Sequence, residues 1–338
     1  MKKLISLICV LAMVLALAAC GSSAPAAATE APAASTEAPS ADVSADKTFV
    51  VGICQLVQHP ALDAATQGFK DALTEALGDK VTFQEQNASG DSATCSLICN
   101  QFVSDEVDLI MANATASIQA AASATNTIPI LGTSITDYGV ALGVDNWTGV
   151  SGTNISGTSD LAPLDGQAAM IQELFPEAKT IGLLYCSGEP NSIFQADSME
   201  ALLTDMGYSV ERYTFADSND VSSVTANACS NSDVLYIPTD NTAASCTEAI
   251  NNVALSAGIP IVAGEEGLAS GCGVATLSIS YYDLGRATGE MAAEILTEGA
   301  DISTMEVRFA PAFTKEYNAD ICEALNITVP EDYVAIAK

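Results

Sequence analysis

Thr180-Ile-Gly-Leu-Leu-Tyr-Cys-Ser-Gly-Glu-Pro-Asn-Ser192 decides how this chain is read. The apolar run Ile181 to Tyr185 has strand length, and alone it suits a buried strand or a piece of buried helix. The polar punctuation from Ser187 to Ser192 favours the strand. Asn191 or Ser192 then caps a helix reaching about Met206. Strand, polar turn and helix N-terminus together make the place where open α/β sheets hold ligands. The pattern recurs at Phe49-Val-Val-Gly-Ile-Cys-Gln-Leu56, which leads through Val57-Gln-His-Pro-Ala-Leu-Asp63 into a helical stretch ending at Leu77. Two such units, each heading its own half, imply two similar lobes whose strand ends face one cleft.

The first half continues with strands at 81–87, 109–113 and 128–134, and with helices near 61–77, 92–105 and 115–124. Residues 139–162 are Gly-rich and read as irregular, so a crossover between lobes is expected there. The second half repeats the order: a helix near 163–174, then strands at 180–186, 209–215, 234–238 and 259–263 with helices between. Asp233-Val-Leu-Tyr-Ile-Pro-Thr-Asp-Asn241 mirrors Asp108-Leu-Ile-Met-Ala-Asn-Ala-Thr115, and Ile259-Pro-Ile-Val262 mirrors Ile128-Pro-Ile-Leu131. Such alternation predicts parallel sheets with right-handed crossovers. A strand at 274–280 runs into a helix over about 282–296, which is expected to return to the first lobe while the last stretch returns to the second. The expected architecture is α/β, with two doubly wound parallel-sheet lobes joined by a multi-crossover hinge. Lobe 1 takes residues 48–160 plus 282–310, and lobe 2 takes 161–281 plus 311–338. Several crossings would let the cleft open and close.

The 338 residues suffice for two domains, and 49% hydrophobic content supports a core in each. Part of that hydrophobicity is a leader. Lys2 and Lys3 form a charged start, Leu4 to Leu15 an apolar run, and Leu17-Ala-Ala-Cys20 a lipobox-like end. This predicts a lipoprotein signal peptide over 1–19 and lipidation of Cys20. The run is short for a membrane span. Residues 20–47 are rich in Ala, Pro, Ser, Thr and Glu, cannot bury a core, and read as a disordered tether. Lipid, tether and body describe an extracytoplasmic protein that meets the bacterial membrane through its anchor only. The formal charge of −31 makes nucleic acid a poor partner. Of ten cysteines, Cys9 lies in the leader and Cys20 carries the lipid; most of the other eight read as small buried thiols. Export permits disulfides, but sequence cannot pair them. A zinc site is not indicated, because the chain has one His and Cys95-x-x-x-Cys99 lacks a second ligand pair.

An enzyme reading finds little support. His59 is the single histidine, it precedes Pro60 at a helix start, and no Gly-x-Ser-x-Gly elbow accompanies it. Capping or lining the cleft suits it better than catalysis. Glu265, Glu266, Asp137, Asp240 and Glu189 could supply a glycosidase pair only if two faced each other across a cleft. No Walker-type loop or Gly-x-Gly-x-x-Gly opens either half, so no nucleotide cofactor is expected. The strand ends share composition instead: Gln55, Asn113, Thr115, Ser134, Thr136, Asp137, Glu189, Asn191, Ser192, Asp240 and Asn241 are polar, and none of these turns holds Lys or Arg. A phosphate ester would recruit such cations. A zwitterion would not: its carboxylate can rest on helix N-terminal amides and hydroxyls, and its ammonium needs one buried acid. Asp240, Glu189 and Asp137 are the candidates for that acid, and Tyr138, Tyr281 and Tyr282 could stack on the side chain. Each residue alone could equally be a cap or turn former.

Gln55-Leu-Val-Gln-His-Pro-Ala-Leu-Asp63, Thr133-Ser-Ile-Thr-Asp137, Gly157-Thr-Ser-Asp160, Tyr185-Cys-Ser-Gly-Glu-Pro-Asn-Ser192, Pro238-Thr-Asp-Asn241 and Tyr281-Tyr-Asp-Leu-Gly285 follow one another in an order that resembles a known family. It is that of the substrate-binding lipoproteins of ABC importers of the tryptophan/tyrosine type. The resemblance covers about residues 48–310. It implies the type I periplasmic-binding fold, with two lobes joined by three crossovers. It also implies a monomer that captures a small solute, an aromatic or branched amino acid above all, and delivers it to a membrane permease. Carried onto this chain, the implied cleft residues are Gln55, Ser134, Thr136, Asp137, Glu189, Asn191, Ser192, Asp240 and Asn241. Tyr138 stands where the family commonly has proline, and Cys186 where it often has asparagine. A nucleoside, a sugar or another neutral solute remains an alternative ligand, and a secreted hydrolase an alternative class.

Overall fold

A computed structural model of the protein describes residues 47–337. The signal peptide, the lipidated Cys20 and the tether expected above lie outside the described residues. The first sheet is built from β1 (Phe49–Gln55), β2 (Val81–Asn87), β3 (Leu109–Asn113), β4 (Ile130–Ile135) and β5 (Ile155–Ser159). Helices α1 (Pro60–Leu77), α2 (Ser92–Ser104), α3 (Thr115–Ala124) and the short α4 (Tyr138–Leu142) connect them. β1 is an unbroken apolar run because helices cover both faces of a parallel sheet. Val51 and Ile53 face Phe69 and Leu73 of α1, while Cys54 joins Cys95, Cys99 and Phe102 of α2 on the other face. Pro60 opens α1 after His59, using a position whose N–H has no helical partner.

The second half repeats the plan with α5 (Leu164–Leu174), β6 (Thr180–Cys186), α6 (Pro190–Asp205), β7 (Ser209–Phe215), α7 (Val221–Asn231) and β8 (Val234–Ile237). It continues through α8 (Asn241–Ala244), α9 (Thr247–Ala257), β9 (Ile261–Ala263), α10 (Glu266–Gly271), β10 (Ala275–Ser278) and α11 (Tyr281–Ala293). The chain ends with β11 (Arg308–Phe309), β12 (Thr314–Tyr317), α12 (Ala319–Leu325) and β13 (Val334–Ala335). The first sheet has the order β11-β5-β4-β3-β1-β2, and the second β13-β12-β10-β9-β8-β6-β7. Both therefore carry the doubly wound order in which the first strand lies inside the second, with the ligand crevice outside the carboxyl ends.

Two features correct the sequence reading. The segment 139–162 is irregular only in part: residues 143–154 are turns and bends, but most of α4 and all of β5 lie within it, and β5 pairs in parallel with both β4 and β11. β5 is Ile155-Ser-Gly-Thr-Ser159, too polar to read as a buried strand, yet all five residues are buried. Its hydroxyls are satisfied by tertiary partners: Ser156 donates to the Met305 carbonyl at 3.0 Å, and Thr158 pairs with Thr288 at 2.8 Å. Gly157 is required because a Cβ there would lie 2.0 Å from the Gly132 carbonyl oxygen. The second sheet is also not wholly parallel, since β12 runs antiparallel to β10.

The chain passes between the sheets three times: after β5, between β10 and α11, and between β11 and β12. After the second passage α11 lies along α1 in close contact. A Cβ on Gly68 would meet the Tyr282 carbonyl oxygen at 2.0 Å, and one on Gly285 the Ala65 carbonyl oxygen at 2.0 Å. Ala61, Ala65, Ile279, Tyr281 and Leu284 form a small apolar cluster where α11 begins. All eight cysteines among the described residues are free thiols, seven of them buried.

Candidate functional site

The carboxyl ends of the two sheets enclose a small, tightly closed pocket. His59, Leu62, Ser134, Thr136 and Asp160 line it from the first-sheet side, and Asn191, Thr239, Asp240, Asn241, Ala244 and Glu265 from the second. Tyr281 enters from the start of α11. Three carboxylates and no Lys or Arg line this space, and all three acids are buried.

The second-sheet wall is a closed hydrogen-bond network. Asp240 accepts from the Cys186 amide at 2.6 Å and caps α8 by accepting from Ala243 at 2.8 Å. One Glu189 carboxylate oxygen accepts from the Asn241 amide at 3.0 Å, and the other from the Thr242 amide at 2.8 Å. The Asn241 side-chain amide and the Thr242 hydroxyl add bonds of 2.7 Å each. Glu265 caps α10, taking the Gly267 and Leu268 amides at 2.6 and 2.5 Å. These amides explain how acids survive out of water. Burial nonetheless pushes Glu265 up to about 7, against the pull of its two amides. Burial, reinforced by the charge of Glu189, holds Asp240 well above the usual carboxylate range.

The first-sheet wall differs. β4 slips register against β5 between Gly132 and Ile135, and Ser134 takes a left-handed conformation at φ 57°. A non-glycine residue held there is strained, which the surrounding fold must compensate. The turn buries the Ser134 hydroxyl with no hydrogen-bond partner. Asp160 follows β5 directly; its Oδ2 accepts from the Tyr281 hydroxyl at 2.9 Å, whereas its Oδ1 has no partner. Burial raises the Asp160 pKa, opposed by the nearby hydroxyls of Tyr281 and Thr136. Burial pushes the His59 pKa down. Its Nε2 lies 3.3 Å from Asn241 Oδ1, to which an Nε2–H would donate, and Nδ1 has no partner. Six buried side-chain polar atoms among the described residues lack partners, and three of them surround this pocket. Such groups are uncommon in folded proteins, and their clustering marks a place built for something else to complete.

Of the residues singled out from sequence, Ser134, Thr136, Asn191, Asp240, Asn241 and Tyr281 line the pocket. The others have structural duties. Gln55 accepts from the Thr66 hydroxyl at 2.6 Å and donates to Asp63 at 2.6 Å, fixing α1 to β1. Asn113 donates to the Leu62 carbonyl at 2.8 Å, and Thr115 is buried in the first turn of α3. Asp137 caps α4 through the Val140 amide. Ser192 lies behind Asn191, within 3.3 Å of its side-chain amide, and Glu189 lies behind Asn241. Tyr138 does not face the pocket as a stacking surface. It is a core residue that donates to the Gly132 carbonyl at 3.0 Å and stacks on Trp147 with ring centroids 5.7 Å apart. Tyr282 is exposed and bonds Asp71. His59, read from sequence as a cap or cleft-lining residue, and Glu265, named there only as a carboxylate, also line the pocket, and Leu62, Asp160, Thr239 and Ala244 complete the lining without having been singled out as ligand contacts. Asp160 and Thr239 stood in quoted motifs, but a strand hidden in a Gly-rich segment concealed that Asp160 ends one.

This chain matches the family described as ABC transporter substrate binding protein over residues 50–338. It is 38% identical over 280 residues to the tyrosine-binding protein of Clostridioides difficile (strain R20291), covering 82% of this chain and 81% of that one. A Streptococcus pneumonia ABC domain solved in complex with L-Trp superposes with a TM-score of 0.80 at 32% identity, covering 84% of this chain and 97% of that one. A substrate binding protein with adhesive properties from Clostridium difficile, solved ligand-free and open, gives a TM-score of 0.66 at 37% identity, covering 86% and 99%. The two-sheet α/β architecture is the type I periplasmic-binding fold. No helix among the described residues is long and apolar enough to cross a membrane. The chain belongs to the ABC transporter substrate binding protein family, and is an extracytoplasmic protein that binds a small solute and serves a membrane permease.

Proposed function

We propose that this protein captures an aromatic amino acid, with tyrosine and tryptophan the first candidates, in the cleft between two lobes. The observation that carries this reading is the set of three unpartnered polar atoms around a pocket rich in carboxylates and devoid of cations. A zwitterion satisfies both halves of that pattern. Its carboxylate needs donors such as the Ser134 hydroxyl, and its ammonium needs a buried acid. The named relatives support it, one being called tyrosine-binding and another holding L-Trp. The lobes are residues 48–160 plus 282–310 and 161–281 plus 311–338, and the three passages between sheets form their hinge. The cleft is nearly closed: Thr136 and Thr239 hydroxyls lie 3.4 Å apart across it. Better superposition on the L-Trp complex than on the open relative supports a closed arrangement. The protein works as a monomer without catalysis, tethered by a lipid on Cys20.

Thermal unfolding with twenty amino acids, nucleosides and sugars tests this. A ligand at roughly 100 times its dissociation constant should stabilise the fold by about 2.7 kcal/mol. A shift with an aromatic amino acid that is recovered unchanged supports the reading. Silence across amino acids, with a response to a sugar or nucleoside, overturns the ligand assignment.

A further inference from the structure

Resting on the amino-acid reading, we propose that Asp160 is the carboxylate that receives the ligand's ammonium group, with Tyr281 as its positioning residue. The argument is one of spare valence. An ammonium brings three donors and a positive charge, so it needs a carboxylate oxygen that nothing else occupies. Asp240 has each oxygen on a backbone amide, of Cys186 and Ala243. Glu265 has each oxygen on an amide of α10. Glu189 is filled by Asn241 and Thr242, and Asp137 caps α4 outside the pocket lining. Of the three carboxylates that line the pocket, Asp160 is the one with a buried oxygen that has no hydrogen-bond partner, and that residue is only 5% exposed. A buried carboxylate with an empty oxygen and no cation beside it is unfavourable until a positive charge arrives.

The location adds a second consequence. Asp160 stands where the chain first leaves the first sheet, immediately after β5. Tyr281 stands where the chain returns, as the first residue of α11. Their 2.9 Å hydrogen bond therefore ties two of the three passages between sheets together. The ligand's charge is read where the first-sheet wall meets the joint.

The test is calorimetric titration of wild-type protein, Asp160→Asn and Tyr281→Phe. The probes are L-tyrosine and L-tryptophan, each paired with its analogue lacking the amino group, 3-(4-hydroxyphenyl)propionate or indole-3-propionate. Far-ultraviolet dichroism and melting check that each variant folds. Wild type should prefer the amino acid over its analogue by about 100-fold. Asp160→Asn should lose about 100-fold for the amino acid and change affinity for the analogue by less than about 3-fold. Tyr281→Phe, which leaves the carboxylate in place but unheld, should lose about 5-fold for the amino acid. Equal loss for amino acid and analogue in Asp160→Asn would assign Asp160 a structural role and overturn the proposal. Undiminished amino-acid binding by that variant would also overturn it, while leaving the amino-acid reading intact. Failure of wild type to bind either amino acid would instead remove the reading on which the proposal rests.

Discussion

The two walls of the pocket are made of the same kinds of residue and behave oppositely. On the second-sheet side Asp240, Glu189, Glu265 and Asn241 bond one another or their own helix ends, and their carboxylates have no oxygen to spare. On the first-sheet side Ser134, Asp160 and His59 each hold an atom out of water with nothing to bond. A polar residue at the end of a strand is thus no indication of ligand contact by itself. What separates a cap from a reader is whether the fold has already used its hydrogen-bonding capacity. The second wall is a scaffold, and on the proposed function the first is the part that a solute completes.

The largest expected effect comes from breaking the scaffold. Asp240→Ala removes the α8 cap and strands the Cys186 amide, so urea unfolding should report a loss of about 2–4 kcal/mol. If the variant melted like wild type but lost its ligand, Asp240 would belong with the readers and the contrast would collapse. The next test is pH. Glu265 is held up near 7 by burial, against about 4.3 in an unfolded chain, so the folded protein binds this proton more tightly. Its contribution to stability is fully present below about pH 4 and lost as pH rises through 7. The ligand-free melting temperature should fall between pH 5.5 and 8, and Glu265→Gln should flatten that slope; a wild-type curve already flat there would contradict it. On the reading wall, Ser134→Ala removes a hydroxyl that bonds nothing within the protein. Stability should stay within about 0.5 kcal/mol, while ligand affinity falls about 10-fold. A variant that unfolds more easily but binds normally would make Ser134 part of the scaffold. The smallest effect is reserved for Tyr138→Phe, which leaves two buried carbonyls short of one donor. It should cost about 1 kcal/mol of stability and leave affinity unchanged, as read by melting and titration.

Much of the fold was legible: β3 and β6 are nearly continuous apolar runs, and the more polar edge strands β2 and β7 follow from the alternation of strand and helix around them. The bounds 81–87, 109–113, 180–186 and 209–215 are the same in sequence and structure. β5 was hidden for the converse reason. Ser156 and Thr158 are polar by sequence, and become strand residues only because Met305 and Thr288, more than a hundred residues away, receive them. The site was half legible. Ser134, Thr136, Asn191, Asp240 and Asn241 were singled out through the rule that ligands sit at strand ends, and Tyr281 as an aromatic able to stack on a side chain. Gln55 and Asp137 obey the same rule, yet one anchors α1 and the other caps α4. Sequence cannot tell these cases apart, since the answer depends on where each donor's partner falls in space. Tyr138 shows the same limit for an aromatic: its neighbours Trp147 and Gly132 draw it into the core.

The glycine seam between α1 and α11 bears on how binding could be retuned. Gly68 and Gly285 leave no room for even a methyl group between the two helices. α11 is consequently fixed to its neighbour as a single beam, and Tyr281 is mounted on the end of that beam. Adding bulk anywhere along the seam would tilt the mount and swing the phenol away from Asp160. Affinity can then be graded from positions that no solute reaches, which is the property an engineer of amino-acid biosensors looks for in a receptor.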